Sequence, residues 1–207
     1  MRDALIALSA ALGTRDRAAL VAALERAKNE AEPRAVDEIL LQSHLFVGFP
    51  IALNAIALWR DLSGTAPEEA TREGDAEWEE RGALICERVY GANYQRLRAR
   101  VAALHPDLDR WMVTGGYGRV IGRPAVDLLT RELCIVALLA VWNVPEQLHS
   151  HLRGALNAGA TRAEVDAALS IAVEYLDAAS AAGVGALWKS VVERLESSRE
   201  RPIADRS

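Results

Sequence analysis

The chain has 207 residues, 51% hydrophobic and 26% charged, enough to bury a substantial core as one large domain or two small ones. A net charge of −5 without any Lys/Arg cluster excludes the electrostatic footprint of a nucleic-acid-binding protein or an acidic-membrane binder. Two cysteines far apart, Cys86 and Cys134, exclude a disulfide framework and a zinc cage, and predict a reducing, cytoplasmic setting.

In chain order, apolar residues recur at helical spacing almost throughout, β-branched alternation is nearly absent, and Ala and Leu dominate. An all-α fold follows. The N-terminal MRDALIALSAALGTRDR has no basic leader and too short an apolar run for a secretory signal or membrane span, so it reads as a folded helix. The spacing predicts helices over about 2–12, 15–29, 35–62, 76–103, 106–121, 130–142, 145–158 and 162–197. Breaks are expected at Gly13, Pro33, Ser63–Pro67, Pro106, Pro124, Pro145 and Gly159. The polar stretch 63–77, with Gly and Pro and no apolar face, is the best candidate linker or surface loop. A frayed polar tail is expected over 198–207.

Sliding the chain against itself by about 129 positions aligns residues 2–60 with 131–189 without a gap, with roughly eleven identities in fifty-nine. The matches cluster: Arg2-Asp3 on Arg131-Glu132, Val36-Asp37 on Val165-Asp166, and Ala57-Leu58-Trp59-Arg60 on Ala186-Leu187-Trp188-Lys189. Tryptophans in register argue for duplication. The predicted organisation is a first, degenerate module at 1–62, a linker and helical middle segment at 63–125, and a second module at 126–197. Where the second module carries Glu146, His149 and His151, the first has Arg17, Leu20 and Ala22.

Helix geometry sorts the polar groups of the second module. Leu148, Leu152 and Ala155 form its apolar stripe, with Gln147, His151 and Gly154 along one flank. His149 points about 160° from His151, so the two cannot chelate one ion from a straight helix, and no metal is expected. Glu132 begins the line of Ile135, Val136 and Leu139 on the preceding helix; a carboxylate facing inward there needs a polar partner, and His151 is the natural one. Each residue has a plainer role too. Glu132 suits a helix N-terminus, His151 could bond a carbonyl, Gln147 could serve packing and Arg123 could bridge segments. His44 and His105 read as structural, Gly154 and Gly159 as a packing contact and a helix cap, and Cys86 and Cys134 as small buried residues. Tyr90, Tyr94 and Tyr117 are candidate pocket or core aromatics.

The pattern REL, an apolar run, then QLxSHxxGALNxGATxxEVxxAL resembles the carboxymuconolactone decarboxylase family, whose all-α fold is shared with alkylhydroperoxidase D-like proteins. The likeness extends to His105-Pro106-Asp107-Leu108, Tyr117-Gly118, Arg123-Pro124 and Val126-Asp127, and to Gly48-Phe49-Pro50 in the first module. In the alkylhydroperoxidase D-like branch it implies a glutamate at Glu132, a histidine at His151 and a CxxC pair at positions now held by Val144 and Gln147. Without sulfur there, thiol peroxidase chemistry by that route is excluded. The decarboxylase branch lacks the cysteine pair, as this chain does. The resemblance implies cofactor-free loss of CO₂ from a carboxylated unsaturated lactone of aromatic-acid catabolism. His151 would be the acid, Glu132 would orient it, Arg123 or Arg131 would anchor the anion, and Gln147 and Tyr117 would line the substrate site. It also implies a homo-oligomer, a trimer or hexamer, which the apolar helix 133–141 favours because it needs burial on both faces. The expected partners are a small-molecule substrate and further copies of the chain, with no nucleic acid or membrane. The alternatives are a non-catalytic helical ligand-binding or assembly protein, and a peroxidase-like relative without the redox cysteines.

Overall fold

The computed structural model describes residues 1–70 and 72–200, the last three as backbone only; among these there is no strand. The expectations for residues 201–207 lie outside the described residues. Helix α1 (Arg2–Thr14) is apolar on every side, buried from Ala4 to Gly13. It ends at Arg15, whose left-handed φ of 60° lets its guanidinium lie 4.3 Å above the Trp142 ring. Helix α2 (Arg17–Glu30) starts at Asp16, whose carboxylate accepts from Ala18 N, and buries only Ala23, Leu24 and Ala27.

Helix α3 (Pro33–Ser63) begins with Pro33 in its first turn and bends at Gly48. Pro50 has no amide hydrogen and its ring crowds the preceding turn, so a straight helix fails here. Gly48, at φ 78° and ψ 166°, takes up the bend in a conformation open to glycine alone. By length and composition α3 is the one helix among the described residues apolar enough to cross a membrane. Its first half is nonetheless core, holding Val36, Ile39, Leu40 and the buried polar Glu38 and Gln42.

The predicted helix 76–103 is two: α4 (Asp75–Tyr90) and α5 (Tyr94–Leu104), separated by a short turn at Gly91 with φ 52°. The stretch before α4 is tied down by Arg34–Glu68, Arg60–Thr65 and Arg81–Glu73 contacts, so it is an anchored loop. Helix α6 (Pro106–Trp111) is capped by His105 and passes into wide, π-type turns over Met112–Ile121. These turns meet α4 backbone to backbone. A Cβ on Gly82 would lie 2.1 Å from Val113 O, and one on Gly118 would lie 1.9 Å from Trp78 O.

Helix α7 (Leu128–Trp142) is capped by Asp127 and buried without interruption from Thr130 to Ala140. Helices α8 (Pro145–Ala158) and α9 (Arg162–Val173) follow, α8 ending at Gly159 with φ 110° and α9 opening with a Thr161/Glu164 capping box. The predicted helix 162–197 breaks after Val173, and α10 (Ala178–Glu200) starts anew. Helix α7 packs against α1, α8 and α9 of the same chain. Its all-round apolarity is therefore satisfied internally and does not itself call for a second subunit.

The helix bounds repeat under the shift of about 129 positions. Helices α1 and α2 fall on α7 and α8, and the Gly48 bend of α3 falls on the break between α9 and α10. The two sets face each other across the α1–α7 contact and exchange arginines. Arg2 bonds Glu164 of α9 at 2.6 Å, and Arg131 bonds Glu38 of α3 at 2.7 Å.

Candidate functional site

Glu132 sits on the second turn of α7, and its carboxylate reaches α8, where Oε2 lies 2.9 Å from His151 Nδ1. Glu132 is fully buried and His151 6% exposed. Room for this pair comes from Gly154, where a Cβ would meet Glu132 Oε2 at 2.7 Å and Val89 Cγ1 at 2.8 Å. With Nδ1 engaged by Glu132, Nε2 is the ring nitrogen left for a ligand. Glu132 Oε1 is buried without a hydrogen-bond partner among the described residues. An unsatisfied buried carboxylate oxygen costs stability.

The ring of His151 forms part of the wall of a cavity of about 300 Å³. Its other walls are Leu45 and Phe46 of α3, Tyr90 of α4, and Leu108, Trp111, Met112, Gly116, Tyr117 and Ile121 of α6 and the π-type turns. Phe46 and Tyr90 stand edge-on to the imidazole, with centroids 5.9 and 6.5 Å away. Tyr117 is buried and donates its hydroxyl hydrogen to Tyr90 Oη at 3.0 Å. Burial pushes both phenols above their ordinary range, so both stay protonated. With Tyr117 already donating to it, the Tyr90 hydroxyl has its own hydrogen to offer a ligand.

The structure brings together three of the residues picked out from sequence: Glu132, His151 and Tyr117. The arginines go elsewhere. Arg131 is fully buried, and its guanidinium is consumed by Glu38, Gln42 Oε1 and the carbonyls of Val126 and Arg123. It lines neither this cavity nor its neighbour, so an anion-anchoring role for Arg131 is corrected to a structural one. Arg123 holds the other face of Glu38, at 2.8 and 2.9 Å, and lines a second, larger cavity. Gln147 is exposed and borders neither cavity. His149 is turned away from His151, as helix geometry requires, and lines a surface groove with Arg153. Tyr94 stacks under Arg98 and accepts its hydrogen bond at 2.9 Å, serving the α5–α6 contact. Tyr90 is the residue that sequence left undecided. Its distance along the chain from Tyr117, 27 residues, hides the pair.

No group of three or more His, Cys, Asp or Glu residues able to hold a metal occurs among the described residues. Both thiols are buried; burial pushes Cys86 up to about 12 and Cys134 higher still, so neither is a ready nucleophile.

An α-helical chain with a buried carboxylate–imidazole pair on consecutive helices is the class defined by this fold and site. Residues 106–188 match the carboxymuconolactone decarboxylase family, and the chain belongs to it. It is also similar to "Peroxisomal protein 2" of Schizosaccharomyces pombe, 34% identical over 141 residues, spanning 66% of this chain and 66% of that protein. The family segment runs from the start of α6 into α10, and so contains Glu132, His151 and Tyr117, with Tyr90 upstream of it.

Proposed function

We propose that the chain is a cofactor-free acid–base enzyme of the decarboxylase or lactone type, acting on a small carboxylated molecule in the cavity beside His151. The observation that carries this reading is the buried Glu132–His151 pair, whose imidazole forms part of the wall of a mainly apolar chamber that Tyr90 and Tyr117 also line. A conjugated substrate carbonyl accepts the electron pair released when the bond to the carboxylate carbon breaks, giving CO₂ and a dienolate. The Tyr90 O–H donates a hydrogen bond to the dienolate oxygen, replacing the cation assigned from sequence. His151 enters the step with two ring protons, one bonded to Glu132 and one on Nε2. It transfers the Nε2 proton to carbon and regains one from water at the end of the cycle. The apolar walls strip water from the substrate carboxylate, whose charge disperses as CO₂ leaves, so desolvation favours this direction. Glu132 is a positioning residue that fixes the imidazole.

The test is turnover of muconolactone-type carboxylic acids in D₂O, following CO₂ and one carbon-bound deuterium in the product. Turnover is expected to fall about 100-fold or more in His151→Ala, and about 100-fold in Tyr90→Phe. Unchanged turnover in His151→Ala, or binding of these acids without turnover, overturns the reading. The proposed setting is a reducing aqueous compartment, the cytosol or, by likeness to the fission-yeast relative, the peroxisome. Assembly into a homo-oligomer is also proposed.

A further inference from the structure

Beside the His151 chamber lies a second cavity of about 640 Å³, between α3, the anchored loop after it and the π-type turns. Leu45, Trp111 and Gly116 border both cavities. The charged groups around the larger one are largely spent on each other: Arg34 on Glu68, Arg60 on Asp37, and Arg123 on Glu38. Arg119 lies over the Trp78 ring, His44 bonds the Leu41 carbonyl and Glu69 also borders the cavity; along α3 its wall is aliphatic and aromatic, made by Leu41, Leu45, Phe49, Ala52, Leu53 and Ile56. Each volume falls in the range of about 300–1,000 Å³ typical of small-molecule sites.

Gly116 is the residue that keeps the shared border low. A Cβ there would meet nothing nearer than Trp111 O at 4.0 Å, and at neighbouring Gly115 nothing within 4 Å, so neither glycine is required by packing. In the same turns Gly118 could not tolerate a Cβ at all. Gly116 therefore leaves open space where a side chain would have fitted.

We propose that the two cavities form one bipartite site for a molecule with a reactive carbonyl head and an unbranched apolar tail. The head lies against His151 and Tyr90, the tail runs past Gly116 along the Leu41–Ile56 wall, and Gly116 sets the permitted tail length. This rests on the acid–base reading above for the head group, while tail binding is independent of turnover.

The experiment is titration calorimetry with neutral methyl ketones from pentanone to undecanone as probes. In the unaltered protein affinity should rise about two- to fourfold per added methylene once the tail passes Gly116. In Gly116→Leu the short ketones should bind as before and the gain with length should stop. Leu53→Asp, an exposed change bordering the larger cavity alone, should weaken the long ketones only and leave the sedimentation coefficient unchanged. Affinity that is flat with length, a length dependence retained in Gly116→Leu, or weakened short ketones in either variant overturns the proposal. So does a mass change in Leu53→Asp, which would make this wall a subunit contact. Deuterium incorporation in the unaltered protein and in His151→Ala separates the two readings. Incorporation that persists unchanged in His151→Ala with the length dependence intact removes the acid–base reading alone; incorporation lost in His151→Ala with affinity flat in tail length removes the bipartite site alone.

Discussion

Gly154 shows how much of the site depends on a missing methyl group. Its Cα lies so close to the Glu132 carboxylate and Val89 that a Cβ would fall 2.7 and 2.8 Å from their atoms. We expect Gly154→Ala to displace Glu132 from His151 and cost about 1–3 kcal/mol in urea denaturation. The proposed turnover should fall with it, whereas a glycine retained only for helix flexibility would give a protein of raised stability and unchanged rate. A different residue-scale effect comes from Glu73, whose carboxyl is held at about 2 instead of 4.5 by hydrogen bonds from Arg81, aided by Trp78. A carboxylate depressed in the folded state adds stability above its unfolded value of 4.5, and that stability is lost as the pH falls toward about 2. Acid unfolding curves of Glu73→Gln should therefore have a shallower slope between those limits, with little difference from the unaltered protein in the slope near neutrality.

Among the elements, the contact between α4 and the π-type turns is the least tolerant. Gly82 and Gly118 let two backbones touch, and widening the turns from α to π type moves Gly116 and Tyr117 to the chamber wall. Gly118→Ala places a Cβ on a carbonyl that cannot rotate away, and we expect a loss of about 3 kcal/mol. Gly116→Ala, two residues earlier, should change the urea midpoint by no more than about 0.5–1 kcal/mol, in the stabilising direction. Equal effects in the two variants would refute this packing account. Sequence predicted one helix over 106–121, and helical periodicity does describe it, but it cannot tell α from π turns when the choice is made by a neighbouring backbone. The break at Gly91 within the predicted 76–103 helix has the same origin. A glycine inside a helical pattern is tolerated in principle; here Gly91 takes a positive φ of 52° and Asn157 of α8 bonds the carbonyl of Val89, a contact the local pattern does not contain.

At the scale of the molecule, the paired helical sets are locked by two arginines that cross between them. They are not equivalent. Arg2 and Glu164 are each more than a third exposed, at 39% and 35%, whereas Arg131 and Glu38 are 0% and 6% exposed. Arg2→Met should cost no more than about 1 kcal/mol. Arg131→Met, which strands Gln42 and half of Glu38, should cost about 3–5 kcal/mol by urea denaturation. The His151 chamber shows the same division of labour. Its Glu132–His151 pair comes from α7 and α8, and its walls from α3, α4, α6 and the π-type turns, so no single stretch of the chain contains the site.

The amino-acid pattern by itself determined the helical class, the near-repeat over about 129 positions and the face of α8 that carries His151, because periodicity and spacing are local properties of a chain. It also determined that positions 144 and 147 offer no sulfur. Which charged groups remain free was decided only by the tertiary structure. Arg131 and Glu132 are neighbours in sequence, but about 100° of helix turn sends one into the α3 ion pair and the other to His151. The pairing of Tyr90 with Tyr117 and the joining of two cavities at Gly116 likewise depend on segments distant in sequence meeting in space. Local pattern fixes which way a side chain leaves its helix; only packing fixes what it meets.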